Sequence, residues 1–157
     1  MLFRSEWDNY TKNISGETRQ HGLLAIKPGG SGDVTATHVL WKETKAIPEV
    51  PVPLYYNQRV YMVAGGIVTC LHAESGKLIY RGRLAPGAYF ASPVTGGGRV
   101  YFASSDGIVI VIAGGDKLQV LATNDFGEPI FASPAIVGNV IYLQTANSLY
   151  AFAGEQK

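Results

Sequence analysis

Residues 108–112 read Ile-Val-Ile-Val-Ile, a run with no polar face. A strand of this kind has to be covered on both sides. Asp106-Gly107 stands before it, a strong two-residue hairpin signal because both positions tolerate positive φ. The alternating stretch 99–104 supplies the preceding strand, and Gly96-Gly97-Gly98 turns the chain into it from a short apolar strand after Ser92-Pro93. On the other side Gly114-Gly115 makes a turn, and 118–123 forms a fourth strand. The pattern predicts four consecutive antiparallel strands whose inner members are apolar on both faces.

The same pattern recurs. FASPVTGGGRVYFASSDGIVIVI at 90–112 is answered by FASPAIVGNVIYLQTANSLYAF at 131–152, and VPLYYNQRVYMVAGGIVTCL stands upstream of both. Pro53, Pro93 and Pro134 are spaced by 40 and 41 residues. Tyr61, Tyr101 and Tyr142 each follow their proline by eight, and Val60, Val100 and Ile141 precede them. Residues 67–71 match 108–112, Gly65-Gly66 stands where Asp106-Gly107 does, and 149–152 closes the last copy. LLAI at 23–26 resembles LYAF at 149–152, and VLW at 39–41 resembles LIY at 78–80, so an earlier partial copy exists. Trp41 to Pro53 spans 12 residues, while Tyr80 to Pro93 and Leu121 to Pro134 span 13.

Four-stranded antiparallel units at this period are the blades of a β-propeller. The expected fold is all-β, a partial propeller of about three to four blades. A β-sandwich also reads as many short strands, but it has no reason to repeat its sequence at 40 and 41 residues. Residues 1–20 fit no copy and read as a polar, flexible lead-in. The propeller segment is 21–153: a partial blade at 21–50, blades at 51–90 and 91–131, and a blade lacking its last strand at 132–153. A tail of 154–157 remains. Two bare blade faces and an unpaired strand edge would be left, which points to a partner or to head-to-tail self-association.

Composition supports this and removes alternatives. Of 157 residues 46% are hydrophobic and 16% charged, a globular balance, and 19 glycines with 8 prolines favour turns over long helices. A net charge of +1 with scattered Lys and Arg gives no nucleic-acid footprint. Cys70 stands alone, so no intramolecular disulfide forms. MLFRSEWDNY lacks the apolar core of a secretory signal, and no run is long enough for a membrane helix. Asn13-Ile14-Ser15 matches a glycosylation sequon.

CLHAESGKLIY at 70–80, with its Leu-x-Ala, Gly-Lys and closing aromatic, resembles the quinoprotein-like, or PQQ-like, propeller repeat. That family closes each blade on a Trp; Trp41 keeps it and Tyr80 replaces it. GLLAIKPGGSGDVTATHVLW resembles bacterial propeller-repeat proteins in particular. The resemblance covers 21–153 and implies the C-terminal half of a seven- or eight-bladed ring, exported to the periplasm or cell envelope. It also allows a relative of the envelope lipoprotein that scaffolds outer-membrane barrel assembly. In quinoprotein dehydrogenases it would imply pyrroloquinoline quinone and calcium, held by carboxylates with adjacent cysteines nearby. Here there is one cysteine, and Asp106, Asp116, Asp125 and Glu128 fall mostly in turns, where turn chemistry accounts for them.

The residues therefore predict a non-catalytic binding or scaffold module, with no cofactor or metal and a protein partner. Quinone and calcium belong to the alternative, a fragment of a quinoprotein oxidoreductase. A third reading is a self-associating half propeller with a structural role. His21, His38 and His72 have no metal-site spacing, and Cys70, aligned with Ala25 and Ala151, fills a position that wants a small residue. PGGSGD at 28–33 lacks the GK[ST] and helix of a phosphate loop. Binding belongs where the copies differ, in the connections 42–51, 85–90 and 122–131. Tyr89, Asn124, Asp125 and Glu128 are the candidate contact residues there.

Overall fold

The computed structural model describes residues 2–5, as backbone, and 22–154 in full. Among the described residues fourteen strands form four antiparallel sheets, each an up-and-down meander. The first sheet holds β1 (Leu2–Ser5), β2 (Leu23–Ile26) and β3 (Val39–Glu43). The second holds β4 (Leu54–Tyr56), β5 (Arg59–Ala64), β6 (Ile67–His72) and β7 (Leu78–Arg83). The third holds β8 (Val94–Gly96), β9 (Arg99–Ala103), β10 (Ile108–Ala113) and β11 (Val120–Asp125). The fourth holds β12 (Ala135–Val137), β13 (Val140–Gln144) and β14 (Leu149–Ala153). The fold is all-β with no closed sheet, a partial propeller.

The core lies between successive sheets, and the period-two alternation of each strand serves two neighbours at once. Val60 and Met62 of β5 point back to Leu23 and Trp41. Tyr61 and Val63, the residues between and beyond them, point forward to Val100, Phe102, Ile110 and Ile112. Ala103 and Val109 then meet Leu143 and Tyr150 of the fourth sheet. This explains why 108–112 carries no polar residue: β10 is packed on both faces. The three repeat tyrosines occupy one register position. Tyr61 pairs with Leu54 and Cys70, Tyr101 with Val94 and Val111, and Tyr142 with Ala135 and Ala151. Their exposure follows the cover supplied by the next sheet: Tyr61 is fully buried, Tyr101 half-buried and Tyr142 exposed.

The innermost strands are tied along one line. The amide of Val52 donates to Ser92 Oγ at 2.9 Å, and the amide of Ser92 donates to Ser133 Oγ at 2.8 Å. The repeated Ser-Pro is thus an inter-blade hydrogen bond. The proline that follows holds the serine extended and opens the inner strand.

Three features differ from the sequence reading. Residues 2–5, assigned to the lead-in, pair with β2 as a third strand of the first sheet; the rest of that stretch, with the sequon and His21, lies outside the described residues. A single helical turn, α1 (Thr35–His38), precedes β3. The fourth strand of the third sheet runs 120–125 instead of 118–123, and each outer pair carries a bulge. The bulge falls between Ala25 and Ile26, between Cys70 and Leu71, and between Val111 and Ile112. It leaves Leu40, Ile79 and Leu121 without a directly opposed partner.

Candidate functional site

One position on the outer strand carries a different side chain in each blade. Trp41 lies opposite Ala25, Tyr80 opposite Cys70 and Ala122 opposite Val111, each just before the bulge. Trp41 reaches forward to the second sheet, where its indole N–H donates to the carbonyl of Ala73 at 2.9 Å. Its ring lies against Gly76, so closely that a Cβ there would stand 2.6 Å from the indole. Gly76, at φ +67, is what lets the turn meet the ring.

In the second sheet Tyr80 takes that role, and its hydroxyl is buried without a partner, as is that of Tyr61. Burial pushes the Tyr80 phenol well above its ordinary value, pushes Tyr61 up to about 12 and pushes the intervening Cys70 thiol up to about 11. Cys70 is a buried thiol, in an environment that disfavours the thiolate. Tyr80→Phe removes an orphan hydroxyl and is expected to leave stability unchanged or raise it by up to about 1 kcal/mol. A thermal melt checks this; a clear loss would show the hydroxyl to be satisfied.

In the third sheet Ala122 has no ring to offer, and the interface with the fourth sheet stays open. A cleft of about 550 Å³ lies there, with Tyr101 and Val111 on one wall, Tyr150 and Phe152 on the other, and Asn124 and Asp125 among its polar lining. Phe126 joins the aromatic group, its ring centroid 5.2 Å from Tyr150 and 5.9 Å from Phe152.

Two of the four residues singled out in the sequence meet at this cleft. Asn124 and Asp125 lie on β11 and not in a connecting loop. Asp125 accepts the amide of Gly127 at 2.8 Å. Tyr89 is buried, and its hydroxyl donates to Ala85 O at 2.8 Å, fastening its own loop; burial, then nearby Asp106, pushes its phenol up to about 12. Glu128 accepts the Thr145 hydroxyl and the Asn147 amide, clipping the connection to the β13–β14 hairpin. The residues that the sequence reading missed are Phe90 and Phe131. They stand on successive connections, 43% and 58% exposed, with ring centroids 5.8 Å apart. The doubled FASP in the sequence was their signal. Val50 and Val52 continue the exposed apolar row onto the preceding connection.

Charged pairs sit at the rims. Arg59 reaches Asp116 of the next sheet at 2.7 Å, and Arg81 reaches Glu43 of the previous one at 3.4 Å. Partly exposed pairs of this kind contribute little to stability.

The family model described as outer membrane protein assembly factor BamB matches residues 30–153. The chain belongs to that family of PQQ-like propeller repeats. Among solved structures it is similar to BamB from Moraxella catarrhalis, at 19% identity and a TM-score of 0.65 over 87% of this chain and 41% of that one. It is similar to the computationally designed Ika4 protein at 14% identity and a TM-score of 0.65, covering 84% of this chain and 79% of Ika4. A europium-containing methanol dehydrogenase matches at 15% identity and a TM-score of 0.52, over 66% of this chain and 21% of that one. These three likenesses show the fold. The chain spans less than half the length of the Moraxella BamB chain. No curated protein matches.

The PQQ-like fold raises a quinone with calcium as an expectation, and the donor set among the described residues does not fit the cation. Among the described residues no three His, Cys, Asp or Glu side chains cluster to hold a cation. His38 bonds to Thr37, and His72 bonds to Ser75. Among the described residues no helix is long and apolar enough to cross a membrane.

Proposed function

We propose that this propeller segment is a non-catalytic protein-interaction module of the bacterial cell envelope, working through the apolar row on its inter-blade connections. The observation that carries this reading is the Phe90–Phe131 pair, two exposed rings held at one repeat position on neighbouring connections. Connections carried on a rigid sheet stack favour binding, and exposed aromatics are the side chains most enriched at protein interfaces. Membership in the BamB-described family supports the envelope setting.

The test is a photo-crosslinking amino acid at position 131, placed in the chain within its native cells. An adduct with an envelope protein is expected, and Phe90→Ser should reduce it. The same label at exposed Lys117, on the outer turn, should give none. Equal adducts at both sites, or none at 131, would contradict the reading.

A second reading, self-association, rests on the open face of the fourth sheet. Val137, Tyr142 and Leu149 are 65%, 39% and 73% exposed there, at a face that the next sheet covers in both preceding blades. Adducts between two copies of the chain in the same experiment would favour it.

A further inference from the structure

We propose that the cleft between the third and fourth sheets binds a planar aromatic amine, its ring taking the place that an aromatic side chain fills in the two preceding interfaces. The three interfaces are continuous copies of one another. Each begins from the same register position, opposite Ala25, Cys70 or Val111. Trp41 fills the first and Tyr80 the second, while Ala122 leaves the third without a ring. Ala122 shares its sheet face with the wall residues Val111 and Asn124, so the missing ring and the open space belong to the same site.

The lining fits that occupant. The volume of about 550 Å³ exceeds one indole and lies within the range of small-molecule sites. Tyr150 and Phe152 lie nearly parallel, 8° between planes, with Phe126 edge-on to both, which presents aromatic surface to a flat ring. Asp125 is the one charged residue lining the cleft. Its Oδ1 accepts the Gly127 amide at 2.8 Å, which fixes the carboxylate at the end of β11. Arg99 borders the adjoining depression and is not among the residues lining this cleft, where Asp125 is the charge that acts. The chemistry therefore selects a ring that carries a positive charge over the same ring carrying a negative one. This inference stands apart from the apolar row on the connections and needs no protein partner.

The test uses the full chain and two probes that share one ring, tryptamine and indole-3-propionate, followed by calorimetry and saturation-transfer NMR. Saturable one-to-one binding of tryptamine is expected, about tenfold or more tighter than that of the acid. Asp125→Asn, which keeps the turn, should bring the two within about twofold. Ala122→Trp should supply the ring internally and abolish binding of both, with a melting temperature at or above that of the parent. Phe152→Ala, at a half-exposed position, should weaken tryptamine binding and serves if Ala122→Trp does not fold. The proposal is overturned if tryptamine does not bind saturably, as when a strand lies along β14 and closes the cleft. It is equally overturned if the acid binds as well as the amine, or if folded Ala122→Trp or Phe152→Ala binds like the parent.

Discussion

Phe102→Ala is expected to cost about 3–5 kcal/mol of unfolding free energy, the range for emptying a large aromatic from a closed core. Phe102 is fully buried between the second and third sheets, in one cluster with Tyr61, Val63, Val68 and Cys70 from the sheet behind. Both walls are sheets fixed by their own ladders, so neither can collapse far into the space. Total stabilities of domains this size are about 5–15 kcal/mol, so this one interface holds much of the fold together. Urea unfolding followed by circular dichroism reads the effect as a lower midpoint with an unchanged slope. Phe152→Ala is the control. Phe152 is 46% exposed on the last sheet, and its loss should cost no more than about 1 kcal/mol. Equal losses at both positions would mean that the second and third sheets do not stack as described.

Gly107→Ala is expected to be the most damaging small substitution, at about 2–4 kcal/mol, combining left-handed backbone strain with overpacking. Gly107 has φ +86, and a Cβ there would stand 2.5 Å from the carbonyl oxygen of Glu128 and 3.1 Å from its nitrogen. These are backbone atoms, and the connection that carries them is tied on both sides. The Phe126 amide donates to Gly107 O at 3.0 Å, and the Ala146 amide donates to Pro129 O at 2.9 Å. The connection therefore cannot retreat without breaking the seam between the third and fourth sheets. Gly115→Ala gives the contrast, because nothing lies within 4 Å of a Cβ there. Thermal melts of the two variants should differ by several degrees, with Gly115→Ala close to the parent.

The stacking of blades was legible because it is written three times. Covered inner strands need β-branched residues on both faces, turns need Gly or Asp, and the proline marks each inner strand, so the 40- and 41-residue spacing carried the architecture. The bulge in each outer strand was not legible, because the repeat spacing does not show it. Counting 13 residues back from Pro134 lands on Leu121, the bulged residue, whereas the register places Ala122 opposite Val111. Neither residue is aromatic, so the loss of the ring shows in the sequence; the cleft beside it shows only in the packing of the third and fourth sheets. The candidate contacts fared according to their burial. Tyr89 looked like a loop residue and is a buried brace; Asp125 and Glu128 looked like turn residues and do satisfy nearby amides. Phe90 and Phe131 were not singled out within the connections 85–90 and 122–131, although the doubled FASP displays a ring at one repeat position on each. Strand β1 had no repeat signal, since only its backbone pairing with β2 defines it.

The most direct test is through-space NMR on the isotopically labelled chain. Inner strands of neighbouring blades should meet at one line, so cross-peaks are expected from the Val52 amide to the Ser92 β-protons and from the Ser92 amide to the Ser133 β-protons. These pairs are 40 and 41 residues apart in sequence and join 2.9 and 2.8 Å hydrogen bonds. Cross-peaks within each sheet but none along this line would contradict the account, because sheets that form without stacking in repeat order are not blades.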